Sequence, residues 1–212
     1  MIFHNFLSII LGDSARLKAL KVLLKQPLGV TGRALGKLIG VSHSKVNTIL
    51  RELVAQGVVK MHVQGKSHVY QINNEHFLIE NIRPILELES NIFAILGQKI
   101  LSLLDQKPLS IILHGSIARG DERPDSDIDT LFIFDDNIFK EGLTDDILEK
   151  CSNITTEFGN FFSVIVVPLS MFVSGVKEKD PFFRNVVKDG KAIAGLTINE
   201  VMDYGRAKYQ NG

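Results

Sequence analysis

The sequence predicts an α+β fold in two parts, with three short helices and a β-hairpin first and a small mixed sheet after a long linking helix. Three observations predict it. The 212 residues carry 45% apolar side chains, which is enough to fill packed cores. Apolar residues recur at helical spacing through the first part and then give way to β-branched runs. The charge is also divided, because residues 1–74 hold 10 Lys and Arg against 2 Asp and Glu, whereas the remainder holds 14 against 22.

This division of charge indicates that the basic part meets a polyanion and that the acidic part holds cations with its carboxylates. Chance clustering of solvated surface charge is the alternative. Cys151 is the only cysteine, so an intramolecular disulfide and a four-cysteine zinc site are excluded, and a reducing, cytoplasmic setting is expected. No apolar run approaches the roughly 20 residues that cross a bilayer, so no membrane partner is expected.

Three helices are predicted in the first part of the chain. The first covers residues 13–25, where apolar side chains recur at helical spacing until Pro27 follows. The second begins after Thr31, a typical N-cap, and ends at Gly40, where a left-handed residue is wanted. The third covers residues 42–57.

The third helix is predicted to have one apolar and one polar face. The apolar stripe consists of Val46, Ile49, Leu50, Leu53 and Val54. The opposite face carries polar and basic side chains: Ser44, Lys45, Asn47, Thr48 and Arg51. Two β-branched segments, 58–63 and 68–72, then surround Gln64-Gly65-Lys66-Ser67 and predict a β-hairpin with a basic tip.

Three helices followed by such a hairpin resemble the winged-helix domains of bacterial and archaeal transcriptional regulators, and RELVAQGVVKMHVQGKSHVYQIN is similar to their helix-to-wing passage. The resemblance implies binding to double-stranded DNA. The residues that would approach base edges or phosphates are Ser44, Lys45, Asn47, Thr48 and Arg51. Lys66 and His68 would lie near the DNA backbone or the minor groove. A protein-interaction module with a merely solvated helix face is the alternative.

Residues 75–106 are predicted to form a linking helix. Apolar residues recur at helical spacing almost without a break from Phe77 to Leu104, and Pro84 interrupts them. The proline predicts a kink or a restart of the helix near Arg83-Pro84. The apolar face is compatible with a homodimer, which would double the DNA contacts, and equally with packing on the chain's own two domains.

Two motifs in the second part carry the predicted chemistry. A buried strand at 109–113 leads to Gly115-Ser116, where backbone N–H groups and a hydroxyl can meet phosphate oxygens. His114 between them is expected to be structural. Asp127 and Asp129 begin the next strand and share one face, because side chains alternate along a strand. Two such carboxylates repel one another unless a cation lies between them, and hard oxygen ligands suit Mg²⁺.

The string HGSIARGDERPDSDIDTLFIF resembles the Gly-Ser and Asp-x-Asp signature of the DNA polymerase β-like nucleotidyltransferase superfamily, particularly its small stand-alone members. The resemblance implies that Gly115 and Ser116 hold the β- and γ-phosphates of a nucleoside triphosphate, with Arg119 as a further phosphate contact. It also implies that Asp127 and Asp129 are catalytic and bind Mg²⁺ while a hydroxyl attacks the α-phosphorus and pyrophosphate leaves.

The same resemblance implies a third carboxylate on a later strand, where it binds metal and helps to activate the attacking hydroxyl. That strand is predicted at 161–167, after a helix at 144–158, and Ser163 takes the place of the acid. Serine is neither a carboxylate base nor an anionic metal ligand, so metal and nucleotide binding is expected but efficient transfer is not. Three acids outside the expected register are the alternative candidates: Glu157, Asp135 and Asp136.

The remaining segments complete the predicted domain order. Residues 180–195 resemble the closing helix and strand-like turn of the same small nucleotidyltransferases. The last residues are expected to be a fraying helical tail without readable chemistry. The predicted order is a winged helix at 1–74, the linking helix at 75–106, a nucleotidyltransferase-like domain at 107–200 and the tail at 201–212.

These features are compatible with three functions. The first is a DNA-binding transcriptional regulator whose second domain binds a nucleoside triphosphate and Mg²⁺ as an allosteric signal, which Ser163 favours. The second is an active nucleotidyltransferase that modifies a protein or small-molecule hydroxyl, which the Gly-Ser and Asp-x-Asp motifs favour. The third is a second domain that serves only dimerisation. DNA binding is common to all three.

Overall fold

The computed structural model describes residues 2–4 and 6–210 and divides into two compact units. The first unit takes Asn5–Asn91, and the second unit takes Met1–His4 together with Ile92–Gly212. The chain therefore starts in the second unit, passes through the first and returns. The predicted boundaries after residues 74 and 106 differ from this division, which falls inside a helix.

The first unit contains helices α1 to α4 and a small sheet. Its elements before the linking helix are α1 (Phe6–Leu11), α2 (Ser14–Lys25), β1 (Val30–Thr31), α3 (Gly32–Ile39), α4 (His43–Ala55), β2 (Val59–Gln64) and β3 (Ser67–Ile72). The Thr31 hydroxyl accepts a hydrogen bond from the Ala34 N–H, and the Ser42 hydroxyl accepts one from the Lys45 N–H. Both helices therefore begin at capping residues, because these hydroxyls satisfy N–H groups that have no partner within the helix.

The sheet of the first unit is antiparallel with the strand order β1-β3-β2. Gln64 pairs with Ser67, so the hairpin turns at Gly65 and Lys66, where the sequence predicts it. Strand β1 was not predicted, since two residues are too short to show a periodic pattern. The core of this unit lies between α2, α3, α4 and the sheet, and α4 contributes the buried residues Val46, Ile49, Leu50 and Leu53.

The linking helix α5 (Phe77–Leu103) is continuous and does not restart at Pro84, which lies inside it. Its two halves are buried in different cores. Ile79 and Leu86 belong to the core of the first unit, whereas Leu96 and Ile100 belong to a core of the second. The apolar spacing of α5 is therefore accounted for in large part by packing within its own chain.

The second unit is a four-stranded mixed sheet with helices on both faces. Its elements after α5 are β4 (Ser110–Leu113), α6 (Gly115–Arg119), β5 (Ile128–Phe134), α7 (Leu143–Ser152), α8 (Thr155–Phe158), β6 (Phe162–Pro168), α9 (Leu169–Lys177), α10 (Pro181–Asp189), β7 (Lys191–Gly195) and α11 (Ile198–Gln210). The strand order is β6-β5-β4-β7, with β5 and β6 parallel and the other neighbours antiparallel. The helix predicted at 144–158 is present as two helices, α7 and α8.

Residues 201–210 of the segment predicted to be a fraying tail belong to the packed helix α11, and residues 211–212 lie outside the described part of the chain. Val201 is fully buried, and Lys208 forms an ion pair of 2.7 Å with Asp135. The Tyr209 hydroxyl donates a hydrogen bond to Asp136. The prediction of a tail was wrong because the two aspartates that hold this helix lie far away in the sequence.

Across residues 2–4 and 6–210, the structure contains no helix with both the length and the apolar character needed to span a bilayer.

Candidate functional site

The Gly-Ser and Asp-x-Asp motifs meet because β4 pairs with β5. Leu113 lies opposite Thr130 in the antiparallel register, and the His114 N–H donates a hydrogen bond of 2.9 Å to the Asp129 carbonyl. Gly115 follows directly and begins α6. Motifs that are separated in the sequence by a loop are thus adjacent at one end of the sheet.

Gly115 allows the backbone to lie directly against the Asp129 carboxylate. Its φ is +70°, and a Cβ atom at this position would lie 2.1 Å from Oδ2 of Asp129. No side chain fits in that space, and an L-residue is also strained at this φ. Glycine therefore suits this position for two reasons, the close approach to Asp129 and the left-handed backbone conformation.

Asp129 is only partly exposed, and its environment disfavours its charged form. Burial raises the pKa of Asp129, and the charge of Asp127 raises it further, against lowering by His114, the Ser163 hydroxyl and Arg119. A carboxyl with a raised pKa in the folded state holds its proton more tightly there than in the unfolded chain. Its ionisation at neutral pH therefore costs folding stability, and a bound cation would remove that cost.

Strand β6 places Ser163 beside Asp129. The parallel register pairs the two residues directly, so the position where the resemblance implies a third carboxylate lies next to Asp129 and holds a serine. Asp135 follows the far end of β5, about 20 Å from Asp129 at 3.3 Å per residue. Asp136 is hydrogen-bonded there to Ser170. Asp135 and Asp136 do not reach the site. The alternative that one of them serves as the third carboxylate is therefore wrong.

Glu157, the other acid considered for the third position, lies on α8 and not on β6. Its carboxylate forms an ion pair of 2.9 Å with Lys99 on α5. Within the described part of the chain, no group of three or more His, Cys, Asp or Glu residues is gathered for a metal ion. A cation at this site would therefore have Asp127 and Asp129 as its protein carboxylates and would need its other ligands from a bound substrate or water.

Two further side chains lie at the site. Burial lowers the pKa of His114, whose ring meets the Phe182 ring edge-on with 5.4 Å between centroids. Nε2 of this ring is buried without a hydrogen-bond partner among the described residues. Arg119 is exposed and forms an ion pair of 3.2 Å with Asp121. Exposed ion pairs are weak, so the guanidinium can exchange Asp121 for a phosphate at little cost.

The loop at 120–126 joins the two motifs and carries anchors that the sequence did not reveal. Arg123 N–H donates to the Ser126 hydroxyl, which closes a turn just before Asp127. The buried Asn160 carboxamide donates to the carbonyls of Pro124 and Ser126, at 3.2 and 2.7 Å. In the sequence, an asparagine beside a glycine indicates only an ordinary turn. No neighbouring residue therefore predicted that the Asn160 side chain holds this loop in place.

The first unit contains a groove of about 830 Å³ between α3, α4 and the hairpin. Of the predicted DNA-contacting residues, the groove brings together Ser44, Asn47, Arg51 and His68. Lys45, Thr48 and Lys66 do not line it. Lys45 and Lys66 are exposed and follow or precede the lining residues Ser44 and Ser67. The Thr48 hydroxyl donates to the Ser44 carbonyl within the helix.

The groove also contains polar side chains that sequence reasoning missed: Arg33, His43 and Tyr70. Arg33 belongs to α3 and Tyr70 to β3, so only the packing of these elements around α4 brings them to one surface. None of the described residues that line the groove is acidic. The surface therefore has the charge and hydrogen-bonding character that suits an anionic partner.

Two solved structures show limited similarity to the chain. A mutant of the S. aureus protein MepR is 18% identical, and the match covers 49% of this chain and 74% of that one at a TM-score of 0.35. A chain from a toxin-antitoxin crystal structure with AMP-PNP is 22% identical, and the match covers 54% of this chain and 87% of that one, also at 0.35. TM-scores at this level indicate neither a shared fold nor a shared function.

The sequence comparisons concern the second unit. Residues 98–165, which include both motifs, match the family described as Nucleotidyltransferase domain. A Methanocaldococcus jannaschii protein that is provisionally named a protein adenylyltransferase is 31% identical over 83 residues, covering 39% of this chain and 75% of the relative. With this identity over three quarters of the relative, the chain belongs to the nucleotidyltransferase-domain family.

Proposed function

We propose that this protein is a DNA-binding transcriptional regulator whose second unit binds a nucleoside triphosphate together with Mg²⁺. The observation that carries the proposal is the approach of Gly115 to Asp129, which leaves room for no side chain. Because Gly115 has no side chain, its backbone lies unobstructed beside the carboxylates, where Asp127 and Asp129 would hold a cation that neutralises the charge of a bound phosphate. Ser116 and Arg119 would complete the phosphate contacts.

The two carboxylates fit a magnesium ion. Burial is the main cause of the raised pKa of Asp129, and the like charge of Asp127 adds to it. Mg²⁺ binds readily through one or two carboxylates when substrate phosphates supply further ligands. The ion would neutralise phosphate charge. Ser163 contributes only a hydroxyl beside Asp129, so the site lacks a carboxylate that accepts the proton of an attacking hydroxyl. Binding without efficient transfer follows, and the bound nucleotide serves as a signal.

Active nucleotide transfer is the second candidate, and the name of the M. jannaschii relative favours it. In that reaction a protein hydroxyl oxygen forms a bond to the α-phosphorus, the bond to the bridging oxygen breaks, and pyrophosphate leaves. The hydroxyl proton must pass to a base. Since Ser163 is not one, water or the phosphate itself would have to accept the proton.

The test is a calorimetric titration of the full chain with ATP, GTP, CTP and UTP, with and without Mg²⁺, together with a pyrophosphate-release assay. We expect magnesium-dependent binding of at least one nucleotide and little turnover. The double variant Asp127→Ala/Asp129→Ala should weaken binding by about 100-fold or more, because a charged ligand would lose its cation. Asp125→Ala, an exposed acid of the same loop, is the matched control. Nucleotide affinity that survives the double substitution would contradict the proposed site.

The DNA-binding function rests on the first unit. Helix α4, whose polar face is predicted to contact DNA, contributes Arg51 to a groove that none of the described lining residues makes acidic. The region 1–74 also carries an excess of Lys and Arg. Cationic side chains on such a surface release counterions from DNA when they neutralise phosphates. The hairpin, with exposed Lys66 at its turn, would lie beside the same duplex.

Substitution of single cations should therefore weaken DNA binding and lower its salt dependence. Arg51→Ala is expected to reduce affinity for double-stranded DNA by about tenfold, and Lys45→Ala by somewhat less. The salt slope should fall by about one for each phosphate contact that is lost. Lys18→Ala, an exposed cation on α2, is the control for general charge. Fluorescence anisotropy over a range of salt measures both quantities, and unchanged affinity in both test variants would rule out this recognition face.

A further inference from the structure

A short strap, Ile2–His4, belongs to the second unit although the first unit follows it in the chain. Phe3 is 1% exposed and is part of the core of the second unit. Its ring is stacked between Phe93 at 5.9 Å and Phe158 at 6.3 Å, centroid to centroid. The strap is therefore packed as an integral part of the unit that contains the nucleotidyltransferase site.

The strap forms hydrogen bonds with Glu122, which lies in the loop before Asp127. Oε1 of Glu122 accepts hydrogen bonds from the N–H groups of Phe3 and His4, at 3.1 and 2.9 Å, and lies 2.8 Å from Nδ1 of the His4 ring. The Glu122 side chain is only 2% exposed, and its other oxygen has no hydrogen-bond partner within the described residues. Burial by itself would raise the pKa of Glu122, but the hydrogen bonds from His4 outweigh it and leave the pKa lowered.

A buried carboxylate is retained in its place only while its partners are present. Removal of hydrogen-bond donors leaves a buried charge unsatisfied, which is costly enough to drive the group towards solvent. Glu122 lies in the loop at 120–126, and this loop leads directly into Asp127. The loop begins at Gly120, the C-cap of α6. Near its other end, Asn160 donates hydrogen bonds to two of its carbonyl groups. Glu122 is the anchor between these two points.

We propose that Glu122, held by the strap, is a positioning residue that sets Asp127 beside Asp129. This inference rests on the proposed nucleotide site. The strap and the loop are far apart in sequence, yet the loop conformation that places Asp127 at the sheet end depends on their contact. Loss of the contact would free the middle of the loop, and Asp127 would no longer be fixed in place to bind Mg²⁺ together with a nucleotide.

The experiment measures nucleotide affinity and loop protection in the full chain. By calorimetry well below the melting temperature, Glu122→Ala should weaken binding of ATP with Mg²⁺ by about tenfold. Glu122→Gln keeps an acceptor oxygen and should stay within about threefold of the original chain, and Asp125→Ala should have no effect. Hydrogen exchange without nucleotide should become faster at 120–127 in Glu122→Ala while strand β5 stays protected, a pattern that general destabilisation would not produce.

His4→Pro provides a second variant that leaves Glu122 in place. It removes the backbone N–H and the ring of residue 4, so two of the three contacts to Oε1 are lost. We expect about fivefold weaker binding and the same faster exchange of the loop. A folded Glu122→Ala or His4→Pro protein with either readout unchanged would overturn the proposal. If the original chain binds no nucleotide, the proposed function fails by itself, whereas faster loop exchange in the variants would still support the positioning of Asp127.

Discussion

Gly115→Ala is expected to abolish magnesium-dependent nucleotide binding while leaving the protein folded. The new Cβ would lie 2.1 Å from the end of the Asp129 side chain, so the carboxylate must rotate away from its place. The left-handed φ adds strain of about 1–2 kcal/mol. Because the clash is with a movable side chain, we expect a moderate loss of stability but a loss of affinity of about 100-fold or more.

Gly142→Ala is the matched control for this substitution. Gly142 also has a positive φ, +80°, in the same unit, but a Cβ there would meet nothing within 4 Å. Its variant should show similar backbone strain and unchanged nucleotide affinity. Calorimetric titration and thermal melting of both variants separate the two effects, and a Gly115→Ala protein that binds normally would show that the close approach to Asp129 is unnecessary.

Ser163→Asp is expected to give the second largest effect, in the opposite direction. The parallel register places the new carboxylate beside Asp129, at the position where the resemblance to the nucleotidyltransferases implies a third acid. Without a cation, three neighbouring carboxylates repel, so the variant should melt at a lower temperature in EDTA. Mg²⁺ should bind more tightly and return the lost stability, because a ligand that binds only the folded state stabilises it. Pyrophosphate release with ATP should rise by about 100-fold from its low level, since a carboxylate can accept the hydroxyl proton.

The control is Ser163→Asn, because asparagine matches aspartate in size but carries no charge. It should show neither the melting response to Mg²⁺ nor the gain in turnover. If Ser163→Asp and Ser163→Asn behave alike in EDTA and in Mg²⁺, position 163 does not contribute to the metal site. If the original chain already turns over as fast as the Asp variant, the protein is an enzyme in its present form.

Local rules predicted the elements whose signals lie within a few residues of one another. The Thr31 cap, the start of the third helix near Ser42, the left-handed Gly40 and the turn at Gly65 all correspond to hydrogen bonds or dihedral angles between near neighbours. The Gly-Ser and Asp-x-Asp motifs were found in the same way, because Gly-Ser follows β4 and Asp129 lies near the start of β5. Asp127 was expected in the same strand but precedes it, since β5 begins at Ile128. Such features depend on side-chain type and spacing, and both are visible in a single sequence.

Other features depended on partners distant in the chain and were missed or misjudged. Helix α11 was expected to fray, but Asp135 and Asp136 hold it from the far end of β5. The same two aspartates were considered for the metal site. Their separation from Asp129 along β5 excluded them only once the strand was placed in the sheet. Glu122 and Asn160 carried no motif at all.

The sequence by itself determined α2 to α5, the hairpin strands, several caps and turns, and the identity of the residues that carry the candidate chemistry, because those depend on interactions between neighbours along the backbone. Only the tertiary structure decided which residues meet. Strand order and register placed Ser163 beside Asp129, and core packing brought Phe3 to Glu122 across 119 positions of sequence. The physical reason is that burial and sheet pairing act between surfaces, and their choice of partner depends on how the whole unit closes.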